Sequence, residues 1–140
     1  MKDYWVAQLD TAKSIAVKAH AGQKYGEKDY FSTHVVAVVK RVKEDPHLED
    51  AHVCIAYLHD VLEDSEYTAA DLAVEGVDKR VILGVLGMTK PEGQEYLSYI
   101  YQMKEESPDA FQVKYHDMCA NYSHGKRDKY KKAIENWLYM

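Results

Sequence analysis

The segment AHVCIAYLHDVLED, from Ala51 to Asp64, constrains this chain more than any other. Through Leu58 it is an almost unbroken apolar run, as expected of a central helix buried on every side. It then closes on His59-Asp60 and, four residues on, Glu63-Asp64. On a continuous helix residues four apart share a face, so His59 would lie over Glu63 and Asp60 over Asp64. One end of a core helix would then present an imidazole and three carboxylates to a small volume. Carboxylates at a helix C-terminus oppose the macrodipole, and three together repel unless a cation or open water relieves them. A divalent metal site answers that requirement, and a solvated helix end answers it too.

Composition sets the frame for the choice. A chain of 140 residues makes a single domain, expected to span 1–140, with length enough for a real core. Hydrophobic content of 46% and charged content of 29% belong to a soluble globular protein. A formal net charge of −5 argues against a nucleic-acid polymer as partner, which would call for a basic excess. The apolar run VVAVV at 35–39 is far too short to span a bilayer, and the opening MKDYWVAQLD holds no signal-peptide core. No membrane partner is expected, and a cytoplasmic location is. Cys54 and Cys119 form no CxxC pair and sit in apolar helical context, which suits reduced core thiols.

The remaining segments are helical by their apolar period. A first helix runs from about Asp3 to Ala21 on Trp5, Leu9, Ala12, Ile15, Ala16 and Ala19, and Gly22 stops it. GQKYGEKDYFST has no period and is expected to be a loop. Ser32 or Thr33 can cap a helix that begins near His34, turns Val35, Val38, Val39 and Val42 inward, and ends at Asp45-Pro46. Thr68 to Asp71 reads as a capping box, and further helical periods follow over Val81–Met88 and 94–106. Ser107-Pro108-Asp109 starts another helix, AFQVKYHDMCANY, before the basic link HGKRDKYKK and a last amphipathic helix. No sustained alternation or hairpin signal marks a strand. The expectation is an all-α fold, one compact helical bundle.

Two protein ligands hold a hydrolytic metal poorly, so further donors are needed from the flanking helices. His34 stands at the first turn of its helix, and Asp117 lies mid-helix with Lys114 before it and Asn121 one turn on. A Lys–Asp–Asn stripe is odd on a core face and sensible on the wall of a site. Taken singly, Asp117 fits a solvated helix position and His34 a helix-start histidine just as well. The twelve tyrosines fit helix packing with wet hydroxyls better than base stacking, and the lysines from Lys126 to Lys132 fit a solvated face.

In order, these residues make H…HD…D, and with AHAGQKYG (19–26), YFSTH (30–34), LHDVLEDS (58–65), LGMTK (86–90) and VKYHDMCAN (113–121) they cover most of the chain. In these segments the chain resembles the HD superfamily of metal-dependent phosphohydrolases, above all the hydrolase domain of the Rel/SpoT-type stringent-response enzymes and their small stand-alone relatives. The resemblance implies that His34, His59, Asp60 and Asp117 ligate one divalent cation, manganese first, with iron, zinc or another divalent ion as alternatives. It implies that Glu63 and Asp64 orient or deprotonate the attacking water. It places Lys114 and Asn121 against a small nucleotide substrate, with Lys114 neutralising phosphate. His20 and Gln23 match a motif beside the pocket, where a hydrogen-bonding role suits His20 better than ligation.

The departures fall in the substrate loop. Tyr25 and Gly26 stand where the family carries an arginine and a second basic residue, while Lys24 and Lys28 are basic but displaced. An aromatic ring at Tyr25 can stack on a base, but it cannot make a guanidinium's bidentate contact to phosphate. Tyr30-Phe31 replaces the family's Pro-Tyr, Ser65 its threonine, and Met118 a residue that is often basic. The expected activity is removal of the 3′-pyrophosphate from guanosine tetra- or pentaphosphate. A phosphatase acting on another nucleotide, such as the 2′-phosphate of NADPH or a 3′-phosphonucleotide, is the alternative, and a non-catalytic nucleotide- or protein-binding module comes third. The sequence leaves the oligomeric state open between monomer and homo-oligomer.

Overall fold

A computed structural model describes residues 2–123 together with 134 and 135. The lysines from Lys126 to Lys132 and the expected last helix, apart from Ile134 and Glu135, lie outside the described residues. The helices run α1 (Lys2–Ala19), α2 (Val36–Glu44), α3 (Asp50–Leu58), α4 (Val61–Asp64), α5 (Ala69–Val74), α6 (Lys79–Gly87), α7 (Tyr96–Glu106) and α8 (Pro108–Ser123). The described chain is mostly helical and compact. No helix among the described residues is long and apolar enough to cross a membrane.

Helix α3 is the axis of the fold, with every residue from Ala51 to Leu58 buried. Helices α1, α2, α6 and α8 pack around it. Its first turn is fixed by a polar cluster. The Glu49 backbone N–H donates to His52 Nδ1 at 3.1 Å, His52 Nε2 lies 3.1 Å from Asp109 Oδ1, and the Arg80 guanidinium grips Asp109 from Nε at 2.8 Å. That cluster ties the start of α3 to α6 and α8. Thr68 and Asp71 cap α5 reciprocally, as the sequence predicts. Cys54 is buried, its thiol pushed up to about 12 chiefly by that burial, while Cys119 is half-buried; both are free thiols.

Three expectations are corrected. The segment after Gly22 is not all loop, because Lys24–Tyr25 (β1) and Lys28–Asp29 (β2) form an antiparallel hairpin pairing Lys24 with Asp29 and Tyr25 with Lys28. Gly26 takes φ +65° at the first position of the two-residue turn, a conformation glycine reaches without a Cβ clash. The helix at His34 is capped by neither Ser32 nor Thr33. Asp29 accepts from the Ser32 backbone N–H at 3.0 Å and from its hydroxyl at 2.8 Å, and Phe31–Val35 form a π-helical turn running into α2. Finally, Ala51–Asp64 is not one helix. It breaks after Leu58, with Asp60 at φ −107°, ψ 1°, and restarts as α4.

Candidate metal centre

The break sends the four groups of the His-Asp segment to two places. His59 is 1% exposed and turns into the interior, whereas Glu63 and Asp64 stand open at the mouth of a cleft. His59 Nδ1 donates to the Ala56 carbonyl at 2.7 Å, an acceptor free to take this bond near the helix end. That bond fixes the ring and aims Nε2 inward. His34, on the π-helical turn, brings its own Nε2 to 3.2 Å from it. Asp117, buried on α8, places Oδ1 2.9 Å from His34 Nε2 and 3.4 Å from His59 Nε2. Asp60 Oδ2 lies 3.0 Å from His59 Nε2 and 3.8 Å from His34 Nε2.

Four potential donor atoms from three separate segments therefore lie close together. In a tetrahedral or octahedral shell with ligand bonds of ~2.1 Å, neighbouring donor atoms are about 3.0–3.4 Å apart. Four of the spacings, 2.9–3.4 Å, lie at or near that range, while His34 Nε2 to Asp60 Oδ2 is longer at 3.8 Å. Among the described residues His34, His59 and Asp60 form a group that could hold a metal ion, and Asp117 falls outside that group. The donor chemistry fits as well. Two imidazoles and carboxylate oxygen suit a first-row divalent ion, and the His59 Nδ1 bond to a carbonyl is the usual orienting contact of a metal-bound histidine.

Electrostatics point the same way. Burial alone would push the carboxyls of Asp60 and Asp117 up. For Asp60 the His59 and His34 imidazoles outweigh it, and for Asp117 the Lys114 ammonium and the imidazoles do, so both are held well below the usual carboxylate range. Burial depresses the His59 imidazole, and the charges of Asp60 and Asp117 more than reverse this, so its pKa is raised well above the ordinary value. The pocket demands a cation, and without a metal a proton meets the demand.

No protein-family profile matches this chain, and no curated protein is significantly similar to it. The geometry of the site itself is therefore what bears on function.

The cleft above the donors has a volume of ≈ 470 Å³. Of the residues expected at the site, His34, Asp60, Glu63, Asp64, Asp117, Tyr25, Lys114 and Asn121 line it. Lys24 and Lys28 stay on the exposed hairpin, outside that lining. Lys114 is not a free phosphate ligand. Its ammonium donates to Asp117 Oδ2 at 3.0 Å, and although burial depresses it, Asp117 and its neighbours raise it well above the ordinary lysine value. Asn121 Nδ2 donates to the backbone oxygen and to Oδ1 of Asp117, each at 3.2 Å. The carboxyls of Glu63 and Asp64 are both raised, first by partial burial and then by the negative charge of Asp60. His20 Nδ1 donates to Gln23 Oε1 at 2.7 Å, and Gln23 Nε2 donates to the Asp64 carbonyl at 2.7 Å, so that motif braces the chain beside the acidic pair. Met118 is fully buried, which leaves no room there for a solvated basic side chain.

Sequence reasoning missed Tyr30, Met88, Lys90, Tyr96 and Tyr99 as lining residues. The Tyr30 hydroxyl donates to Asp60 Oδ2, and Tyr99 donates to the Gly87 carbonyl at 2.7 Å. A tyrosine at helical spacing carries the same local signature whether it faces a core or a cleft. Only LGMTK, as a matched segment, pointed toward Met88 and Lys90.

Proposed function

We propose that this chain is a metal-dependent phosphohydrolase of the HD type acting on a small nucleotide, with the 3′-pyrophosphate of guanosine tetra- or pentaphosphate as its first substrate. The carrying observation is the convergence of His34, His59, Asp60 and Asp117 donor atoms at the floor of a cleft whose mouth holds two further carboxylates. The motif order described above links that arrangement to nucleotides. Manganese fits the mixed nitrogen and oxygen donors, with iron or zinc as alternatives. Bound there, a divalent ion supplies Lewis acidity to a phosphoryl oxygen and lowers the pKa of water.

The protein groups divide the rest of the work. Glu63 and Asp64, made more basic by burial and by Asp60, accept the proton of the attacking water. Water oxygen forms the new bond to phosphorus in line, and the bond to the departing ester oxygen breaks with its electron pair. Lys114 neutralises Asp117 and adds positive potential where phosphate charge develops.

One observation favours a phosphomonoester of another nucleotide as the second reading. No arginine lines the cleft among the described residues, Lys114 is held by Asp117, and Lys90 donates to the carbonyls of Pro91 at 3.1 Å and Gln94 at 2.6 Å. That is thin provision for a pyrophosphate. The deciding assay is manganese-dependent product release from guanosine tetraphosphate, with NADPH and 3′-phosphonucleotides in parallel. Pyrophosphate release, lost in Asp60→Ala and lowered ~10²–10⁴-fold in Glu63→Gln/Asp64→Asn, is expected. Orthophosphate from another nucleotide alone would select the second reading, and full turnover in the double variant would refute the assigned chemistry.

A further inference from the structure

The two histidines of the metal centre are not held alike. His59 is oriented by its Nδ1 bond to the Ala56 carbonyl. His34 Nδ1 is buried and has no hydrogen-bond partner among the described residues. A histidine that ligates through one ring nitrogen ordinarily has its other nitrogen tied to an acceptor, and this contact sets the ring's direction. At His34 something else must set it.

Tyr25 occupies that position. Its ring lies 5.1 Å from the His34 ring and within 10° of parallel, a stacked pair, and Tyr30 closes on the same imidazole at 5.4 Å. The Tyr25 hydroxyl donates to Asn121 Oδ1 at 2.7 Å, reaching from the hairpin to α8. With its oxygen engaged, the Asn121 amide has one productive orientation, in which Nδ2 faces Asp117 Oδ1. A flipped amide would lose the tyrosine bond and set oxygen against carboxylate. Both arms of Tyr25 thus end on His34 Nε2 and Asp117 Oδ1, which stand 2.9 Å apart.

We propose that Tyr25 is a positioning residue of the metal centre, fixing His34 by ring stacking and Asp117 through Asn121. The inference rests on the metal-site reading above and deepens it. Tyr25 is therefore committed to the ligand sphere, and is not held in reserve as a stacking platform for a nucleobase. The hairpin makes this possible, because its glycine turn returns the chain within two residues and leaves Tyr25 at the strand end facing the cleft.

The test is calorimetric titration of the metal-free protein with manganese. Tyr25→Phe keeps the ring and removes the hydroxyl, so its Kd is expected to rise about tenfold. Tyr25→Leu removes both arms, and its Kd is expected to rise toward 100-fold. Tyr25→Phe/Asn121→Ala should bind no more weakly than Asn121→Ala, because one chain of contacts is cut in either case. With a turned-over phosphate ester, Tyr25→Phe should lower kcat and leave KM nearly unchanged. Tyr25→Phe disturbs no packing, so its result stands even if Tyr25→Leu opens the hairpin. Wild-type affinity in both variants, or a rise in KM alone, overturns the inference. A wild-type protein that binds no manganese overturns the metal-site reading beneath it.

Discussion

His59 Nε2 faces two carboxylate oxygens and a second imidazole nitrogen, so its proton inventory sets the behaviour of the metal-free protein. Its pKa is raised well above 6.5 in the fold, so its stabilisation is complete below pH 6.5 and is lost as the pH rises through the raised value. Asp60 and Asp117 are lowered from 3.8, so their stabilisation is complete above pH 3.8 and is lost as the pH falls through the lowered values. The metal-free protein should therefore hold its full contribution from these groups between those two limits and weaken at higher pH. To ligate a metal, as proposed above, His59 would have to give up that proton. Titration with manganese at pH 7 in two buffers of different ionisation enthalpy should show release of about one proton per site, with affinity rising as pH rises. Binding without proton release would mean that His59 is not protonated in the apo protein.

At the scale of elements, the sequence revealed what is periodic and hid what is not. The helices on Ile15, Val38 and Ile100 were legible because their apolar spacing repeats over several turns. The hairpin was not, since strands of two residues offer no alternation, and the Gly26-Glu27 turn was its only sign. Nor could the break at His59-Asp60 be seen, because Leu58, Val61 and Leu62 carry the apolar pattern across it. The residue types of the candidate centre were legible as H…HD…D, but their convergence depends on a π-helical turn whose Asp29 cap looks in sequence like an ordinary loop acid. Helix packing offers a sharper test. A Cβ added at Gly84 would lie 2.8 Å from Ile55 Cγ1 and nearer still to Cδ1, and Ile55 is fully buried on α3. Gly84→Ala should destabilise the protein by about 1–3 kcal/mol in denaturant unfolding despite alanine's better helix propensity, and Ile55→Val should recover part of the loss. A stabilised Gly84→Ala would show that α6 can move away from α3.

For the whole molecule, the centre is a junction between distant parts of the chain. Its donors come from the π-helical turn at His34, the broken end of α3 at His59-Asp60, and α8 at Asp117. The described cleft lining holds the carboxylates of Asp60, Glu63, Asp64 and Asp117 against the ammoniums of Lys90 and Lys114. A divalent ion brings that set to neutrality, and the unfolded chain has no way to assemble the four donors. On the reading proposed above, metal binding would be linked directly to folding. At a free manganese concentration one hundred times Kd, the linkage contributes about 2.7 kcal/mol. For a domain of this size that corresponds to a rise in Tm on the order of 10 °C. Differential scanning calorimetry with manganese and with chelator should show this difference in the wild type and almost none in Asp117→Ala. Equal melting temperatures in the wild type would mean that the four donor atoms, close as they are, fold together for one another and not for a metal.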